Sequence, residues 1–330
     1  MSSAIQDIFD SFQYLKVLVI GDVMIDEYIW GNISRISPEA PVPLVDVYRH
    51  ESRLGGAANV ALNLRQLGAI PMLLSVVGDD ERGHQFKELL HHHHLSSANI
   101  ILDQDRHTTV KTRVIARNQQ LLRYDSEMTD PLSPQVELSL IDLAIDAIYT
   151  HTPHVVILQD YNKGVLTPLV ISNIIANARQ SGIPIAVDPK TDNFFAYKGC
   201  TLFKPNLREA VNGTELMMSA SQPDTLIAGA EYIRSVLENE YTVITLSEKG
   251  MFLHTPHEAE IIPAYLRRIV DVSGAGDTVI SLLALGLALK LDIFATVELA
   301  NIAAGLVCEH VGVTAIDRNE LLNEAQRFLT

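Results

Sequence analysis

Asp271-Val272-Ser273-Gly274-Ala275-Gly276-Asp277 (DVSGAGD) runs without a break into the apolar stretch TVISLLALGLALKL, residues 278–291. A glycine-rich turn that opens a helix offers backbone N–H groups and the positive end of the helix dipole to an anion. Gly274, Ala275 and Gly276 therefore read as an anion hole, with Asp277 as a base beside it. The competing reading makes Asp277 a helix cap and the glycines a simple turn. The first reading requires a frame that gathers other polar residues at the same edge.

Upstream, that frame is visible. Lys16–Gly21 (KVLVIG), Val155–Asp160 (VVILQD), Ile183–Lys190 (IPIAVDPK), Thr201–Asn206 (TLFKPN) and Thr242–Gly250 (TVITLSEKG) are short apolar runs, the pattern of strands buried on both faces. Helical stretches around Pro168–Arg179 and Ala228–Leu237 alternate with them. These strands end in Asp22, Asp160, Asp188, Asn206 and Ser247. Ligands of open parallel sheets bind outside the carboxyl ends of the strands. The expected fold is an α/β sandwich with one polar cleft at that edge.

A second glycine turn, Gly55-Gly56-Ala57-Ala58-Asn59, opens the helical stretch VALNLRQLG, which stops at Gly68. Its double glycine suits either close approach to a ligand, with Asn59 reaching a hydroxyl, or tight packing of a turn. Asn32–Pro43 (NISRISPEAPVP) is too rich in proline for a helix or a central strand, and Leu44–Tyr48 reads as a half-exposed strand. Met72–Gly78 reads as a strand and Glu81–Leu95 as a helix, with His91–His94 as its solvated end rather than a metal site. Thr108–Asp125 alternates like a two-stranded ribbon turning near Arg117–Asn118. Its cations Lys111, Arg113, Arg117 and Arg123 are either solvated or hold a substrate phosphate.

The 330 residues carry a net charge of −15, which argues against a nucleic-acid or anionic-membrane surface. With 47% hydrophobic and 20% charged residues a substantial core is possible. Cys200 and Cys308 have no paired spacing, so neither a zinc motif nor a disulfide framework is expected. The N-terminus lacks the basic region of a secretory signal, and Val279–Leu289, the longest apolar run, is too short to span a bilayer. The expectation is a cytoplasmic protein acting on small molecules, with no nucleic-acid or membrane partner.

Phosphoryl transfer needs positioning, neutralisation of the transferred group and a base near the attacking hydroxyl. Gly274–Gly276 and Asp277 suit these needs, and Asn206-Leu207-Arg208-Glu209 sets an amide and a carboxylate one helical turn apart, suited to a hydrated magnesium ion beside nucleotide phosphates. GxxxxGK[ST] does not occur, and Gly21 is followed by Asp22-Val23 rather than by a dinucleotide-binding loop.

DVSGAGD, GGAANVALNLRQLG and Asn206-x-x-Glu209 together resemble the signatures of the ribokinase-like, PfkB-type carbohydrate kinases, a likeness running from Lys16 to about Ile316. The resemblance implies a ribokinase-like three-layer α/β/α sandwich, one kinase domain over residues 1–330. Its mostly parallel sheet would have about nine strands, and a small β lid would form from residues near 24–48 and 108–125. It also implies ATP, Mg2+, a possible monovalent cation, and a homodimer through the lid. Within the family, GDVMIDEYIWG, SRISPEAPVP, RNQQLLRYD and DYNKG resemble the branch that phosphorylates D-glycero-β-D-manno-heptose 7-phosphate at O1 on the route to ADP-heptose and the lipopolysaccharide core. Ser273 stands where threonine is commoner, and a sequence ending at Thr330 implies the kinase step alone, without a nucleotidyltransferase domain.

Carried across residue by residue, the resemblance makes Asp277 the base and Gly274, Ala275 and Gly276 the anion hole. It sends Asn206, Glu209, Ser247, Gly250 and Asn301 to the ATP side, with Glu209 holding Mg2+ through water. Asp22, Asp26, Gly55, Gly56 and Asn59 go to sugar hydroxyls, while Arg35, Lys111, Asn118, Gln120, Asp160, Lys163 and Lys190 shape the heptose-phosphate end. Two alternatives stay open: a kinase of another sugar, such as ribose or fructose 6-phosphate, and a non-catalytic sugar-binding protein on the same fold.

Overall fold

The computed structural model describes residues 2–117, 119–265 and 267–329. In chain order the elements begin with α1 (Ser2–Ser11), β1 (Lys16–Gly21), β2 (Val23–Ile36), β3 (Pro43–Gly56), α2 (Ala57–Gln66), β4 (Ile70–Gly78), α3 (Glu81–His92) and β5 (Ile100–Asp103). Then come β6 (Val110–Ala116), β7 (Gln119–Ser126), α4 (Pro134–Asp146), β8 (Val155–Gln159), α5 (Pro168–Gln180), β9 (Ile185–Asp188) and β10 (Leu202–Phe203). The chain finishes with α6 (Leu207–Thr214), α7 (Pro223–Leu237), β11 (Tyr241–Thr245), β12 (Met251–His254), β13 (Ala259–Ile262), α8 (Ala275–Leu289), α9 (Ile293–Val307) and α10 (Arg318–Phe328).

Among the described residues, nine strands form one sheet in the order β13-β12-β11-β10-β9-β8-β1-β4-β5. It is parallel from β11 to β5, and β12 and β13 add an antiparallel hairpin at one edge. The unbroken apolar runs follow from burial on both faces. Along β1, Val17 and Val19 point into a core with α2, α8 and α9, while Leu18 and Ile20 point into a second core with α4, α5 and α7. The same alternation recurs along β8, where Val155 and Ile157 face one layer and Val156 and Leu158 the other. The result is the expected three-layer sandwich.

Chain order reverses beside β1: β4 and β5 lie on one side, β8 to β11 on the other. A crevice opens at such a switch point, outside the carboxyl ends of the strands.

A second sheet of four strands, ordered β3-β2-β6-β7, rises from this edge. Both β2 and β3 run for 14 residues, so strand continues through Asn32–Ile36, which the proline count assigned to a loop. Only residues 37–42 are irregular. Pro43 is tolerated because it is the first residue of its strand. The ribbon expected over 108–125 is β6 and β7, with β6 pairing parallel to β2. Residues 242–250 also divide: β11 stops at Thr245, and Ser247 to Gly250 turn the chain back into β12.

Candidate active site

Gly274 ends the loop before α8 with φ +82°, a left-handed conformation that glycine adopts at low cost. A Cβ there would also lie 3.1 Å from Asn59 Nδ2. Helix α8 then starts at Ala275 and carries Asp277 in its first turn, with its backbone packed over the ends of β8 and β9. Asp277 is 2% exposed. Its Oδ2 accepts from Asn59 Nδ2 at 2.7 Å, and its Oδ1 accepts from Tyr161 Oη at 2.7 Å and Gln159 Nε2 at 3.3 Å. Burial pushes the carboxyl up to about 7, with the Asp188 carboxylate adding to the rise; Asn59, Tyr161 and Lys204 oppose it.

Beneath Gly276 lies a buried ion pair, Lys204 Nζ to Asp188 Oδ1 at 3.0 Å. Gln159 Nε2 donates to Asp188 Oδ2 at 3.0 Å as well, so one amide bridges Asp188 and Asp277. Its Oε1 is buried and has no hydrogen-bond partner among the described residues, which leaves an acceptor beside the two carboxylates. A Cβ on Gly276 would sit 3.6 Å from Lys204 Nζ and 3.7 Å from Asp188 Oδ2, in ordinary contact.

Asn59 is fully buried near the start of α2, and a chain of amides holds it. Asn63 Nδ2 donates to the Asn59 carbonyl at 2.8 Å, and Asn63 Oδ1 accepts from Thr278 Oγ1 and from the Ile316 amide, both at 3.0 Å. Gly56 has φ +61°, and a Cβ there would meet the Asp22 carbonyl at 2.4 Å. Gly55 abuts Asp26, whose carboxylate pairs with Arg113.

Asp22 has a different task from the one its position suggests. Its Oδ2 accepts from the backbone N–H of Tyr161 at 2.7 Å and of Lys163 at 3.0 Å, and its Oδ1 from Val165 at 3.1 Å. Both oxygens hold the loop after β8. Burial pushes the Asp22 carboxyl up, and the three N–H donors pull against it. Asp160, also buried, accepts from Tyr197 Oη at 2.6 Å and from the Asn162 amide at 2.7 Å; burial and then Asp22 push it up to about 7.

Asn206 and Glu209 form a capping box on α6. Asn206 Oδ1 accepts from the Glu209 amide and Glu209 Oε2 from the Asn206 amide, both at 2.8 Å. The other Glu209 oxygen pairs with Lys190, whose Nζ lies 5.2 Å from the centre of the Tyr161 ring. Lys190 therefore sits with the residues expected on the ATP side, not with Lys111 and Lys163. Burial works to lower its ammonium, and the Asp188 and Glu209 carboxylates outweigh this and hold it above the usual lysine range. Ser247 and Gly250 make the turn between β11 and β12. Asn301 on α9 donates to the Pro263 carbonyl at 2.8 Å, fixing the segment that follows β13.

Lys163 pairs with Glu127 at 2.9 Å, and its carbonyl accepts from the buried Arg106 at 2.7 Å. Burial, and after it the nearby Lys163, lowers the Lys111 ammonium. These two cations of the expected set lie close enough to repel one another. Arg35 and Gln120 are exposed on β2 and β7, and Asn118 lies outside the described residues. Arg35 is nine residues beyond Asp26 on one strand, a run of about 30 Å at the usual rise.

The small sheet is latched to the loop before α10. Arg53 Nη1 donates to the carbonyls of Val311 and Val313 at 3.0 and 2.9 Å, and the Val313 amide donates to Tyr28 Oη at 2.8 Å. Asp271 then takes the Gly312 amide at 2.8 Å and the Ser273 amide at 2.9 Å.

Sequence reasoning placed Asp277, Asn59 and the two glycine turns, and the structure brings them together. It left out Tyr161, Gln159, Lys204 and Arg106 as site residues. Gln159 and Tyr161 flank Asp160, a strand end already read as polar, and that was the signal available.

A buried carboxylate beside the N-terminal amides of a helix can accept a proton while an anion is neutralised next to it. Comparison with known proteins agrees with this chemistry. The family model described as "pfkB family carbohydrate kinase" matches residues 15–319. The chain is similar to the Bifunctional protein HldE of Pelobacter propionicus, 43% identical over 97% of this chain and 65% of that protein. It is 41% identical to that of Trichlorobacter lovleyi, over 96% of this chain and 64% of that protein. The chain thus spans just under two thirds of the length of these relatives. Among solved structures, phosphofructokinase-2 from Escherichia coli in complex with potassium aligns with TM-score 0.79 and 17% identity, over 96% of this chain and 99% of that one. Arabidopsis thaliana ribokinase complexed with ribose and ATP aligns with TM-score 0.73 and 13% identity, over 95% and 99%. No helix among the described residues is long and apolar enough to cross a membrane. With the matched model covering nearly the whole sandwich and both glycine turns, the chain belongs to the pfkB family of carbohydrate kinases.

Proposed function

We propose that this chain transfers the γ-phosphoryl group of ATP to O1 of D-glycero-β-D-manno-heptose 7-phosphate, giving the 1,7-bisphosphate and ADP for ADP-heptose and lipopolysaccharide core synthesis. One observation carries the reading. Asp277, fully buried and poised near neutrality, stands beside the first amides of α8 at the switch point of the sheet. In the reaction Asp277 accepts the O1 proton as the O1–P bond forms, and the bridging P–O bond breaks with its electrons leaving on ADP. The amides at Gly274–Gly276 and the Lys204 ammonium below them offset charge on the transferring group.

The heptose assignment is supported by the residues quoted above and by similarity to the HldE proteins. Lys111 and Lys163 suit the 7-phosphate, while Asp26 and Asn59 suit the sugar hydroxyls. On the nucleotide side, Ser247, Gly250 and Asn301 shape the ATP pocket. Among the described residues there is no cluster of three or more metal-ligating side chains. That fits Mg2+ held chiefly by nucleotide phosphates and water, with Glu209 in its outer sphere, where it would neutralise phosphate charge. A monovalent cation beside the anion hole belongs to the same reading, by analogy with the potassium complex of the E. coli neighbour.

The small sheet acts as a lid that excludes water from the reacting phosphoryl group. Its faces and edges leave Ile36, Val47, Tyr48, Leu122 and Tyr124 exposed, which favours a homodimer formed lid to lid. Such a pairing is also what would bring Arg35 to a sugar, since one chain carries it about 30 Å from Asp26. ATP and a sugar phosphate as substrates place the reaction in the cytoplasm.

The test is ADP release with a panel of acceptors: both anomers of the heptose 7-phosphate, ribose and fructose 6-phosphate, with 31P NMR of the product. The heptose should give the highest kcat/KM and a new anomeric phosphate. Preference for another sugar overturns the substrate, and sugar binding without ADP release from any acceptor overturns the kinase reading.

A further inference from the structure

Tyr161 is held before its side chain makes any contact. It follows Asp160 at the end of β8, and Asp22 takes its backbone N–H at 2.7 Å. From that fixed point its hydroxyl reaches Asp277 Oδ1 at 2.7 Å. One face of its ring receives the Lys190 ammonium, which Glu209 holds in turn. The ring is thus a wall between the proposed base and the residues expected around ATP. A tyrosine hydroxyl taken out of water usually finds a hydrogen-bond partner. Here its partner is the carboxylate that the reaction depends on.

Few other donors reach that carboxylate. Asn59 serves Oδ2, and among the described residues the only other donor to Oδ1 is Gln159, at the longer 3.3 Å. Gln159 is shared with Asp188, so it is not free to move closer to Asp277. A buried carboxylate keeps its charge only where hydrogen bonds to the charged form offset desolvation.

We propose that Tyr161 is a positioning residue for proton transfer: its hydroxyl fixes Oδ1 of Asp277 and favours the charged form of this buried carboxylate, so that the acceptor hydroxyl meets an oriented base. The direction of the Asp277 shift agrees, since burial raises the carboxyl to about 7 even with the phenol opposing it. Removing the hydroxyl moves it higher. The proposal rests on Asp277 being the base, and its test is arranged to separate the two.

Tyr161→Phe keeps the ring and removes only the donor. In the full-length protein labelled with 13C at aspartate Cγ, the Asp277 resonance is assigned by its loss in Asp277→Asn and titrated in both Tyr161 forms. The midpoint should rise by about one pH unit, the size expected for a hydrogen bond to a charged group. The acid limb of kcat/KM should rise with it, lowering activity about tenfold at pH 6 with recovery above pH 9. A fluorinated tyrosine at position 161, a more acidic donor, should move the midpoint down. An Asp277 midpoint unchanged in the phenylalanine variant overturns the proposal, as does a fluorinated form that raises it. A midpoint that shifts while the rate profile stays in place upholds the hold of Tyr161 on Asp277 and removes Asp277 as the base.

Discussion

Asn59 and Asp277, 218 residues apart in the chain, share a 2.7 Å hydrogen bond from Nδ2 to Oδ2. The two glycine turns of the sequence therefore meet at one carboxylate, and Gly274 is where the close approach is made possible. Substituting Asp277 by Asn keeps the shape and removes the proposed base. Turnover should fall by roughly a hundredfold or more, with ATP and sugar affinities nearly kept, as read by steady-state kinetics and calorimetric binding. Undiminished kcat would end the assignment.

The same residue predicts how stability changes with pH. In the unfolded chain Asp277 ionises near the ordinary carboxylate value of about 4, and in the folded protein at about 7. Its contribution is fully present below about pH 4, is lost as pH rises, and has gone above about pH 7, a penalty of at most about 4 kcal/mol. Asp277→Asn escapes this penalty. The Tm of the variant relative to the unmodified protein should therefore be more favourable at pH 8 than at pH 5. A constant or opposite difference in calorimetric scans would contradict the raised ionisation.

Gly274 and Gly276 should separate folding from function. Alanine at 274 must adopt φ +82° and crowd Asn59, so it should cost stability, about 1 kcal/mol or more, as well as activity. Alanine at 276 meets only ordinary contacts with Lys204 and Asp188. It should melt like the parent protein yet lose kcat, because its methyl group projects over the ion pair where the phosphoryl group is proposed to lie. Equal activity in Gly276→Ala would move the anion hole elsewhere.

Asp22→Ala should act through the chain rather than through the ligand. Three N–H groups, that of Val165 buried and those of Tyr161 and Lys163 partly so, lose their acceptor, which together costs about 3 kcal/mol or more. Hydrogen exchange at residues 161, 163 and 165 should accelerate well beyond that of β1. Unchanged protection there, with activity lost, would return Asp22 to direct sugar contact.

Much of this arrangement could be read beforehand because double-sided burial writes itself into β1 and β8 as unbroken apolar runs, and strands that end at a ligand edge end in polar residues. The small sheet was harder. Its strands are exposed over much of their length, so β2 and β3 lack the apolar signal, and prolines near their connection masked strands that begin at Pro43 and continue through Ile36. Asn206 and Glu209 have the spacing of a capping box, and the structure shows that local role, which spacing alone does not distinguish from a ligand role. Gln159, Tyr161 and Lys204 become site residues only through the register of β8 beside β9 and the seat of α8 above them.

Arg53 and Tyr28 grip residues 311–313, and Asp271 grips Gly312 and Ser273 from the other side. The root of the small sheet and the bend before α8 thus share one pivot, so a tilt of the first would drag the second. On the proposed reading, a sugar arriving under the sheet would tune the cradle that receives the nucleotide's terminal group, and order of arrival would become a mechanical matter, with the acceptor setting the stage on which the donor is gripped.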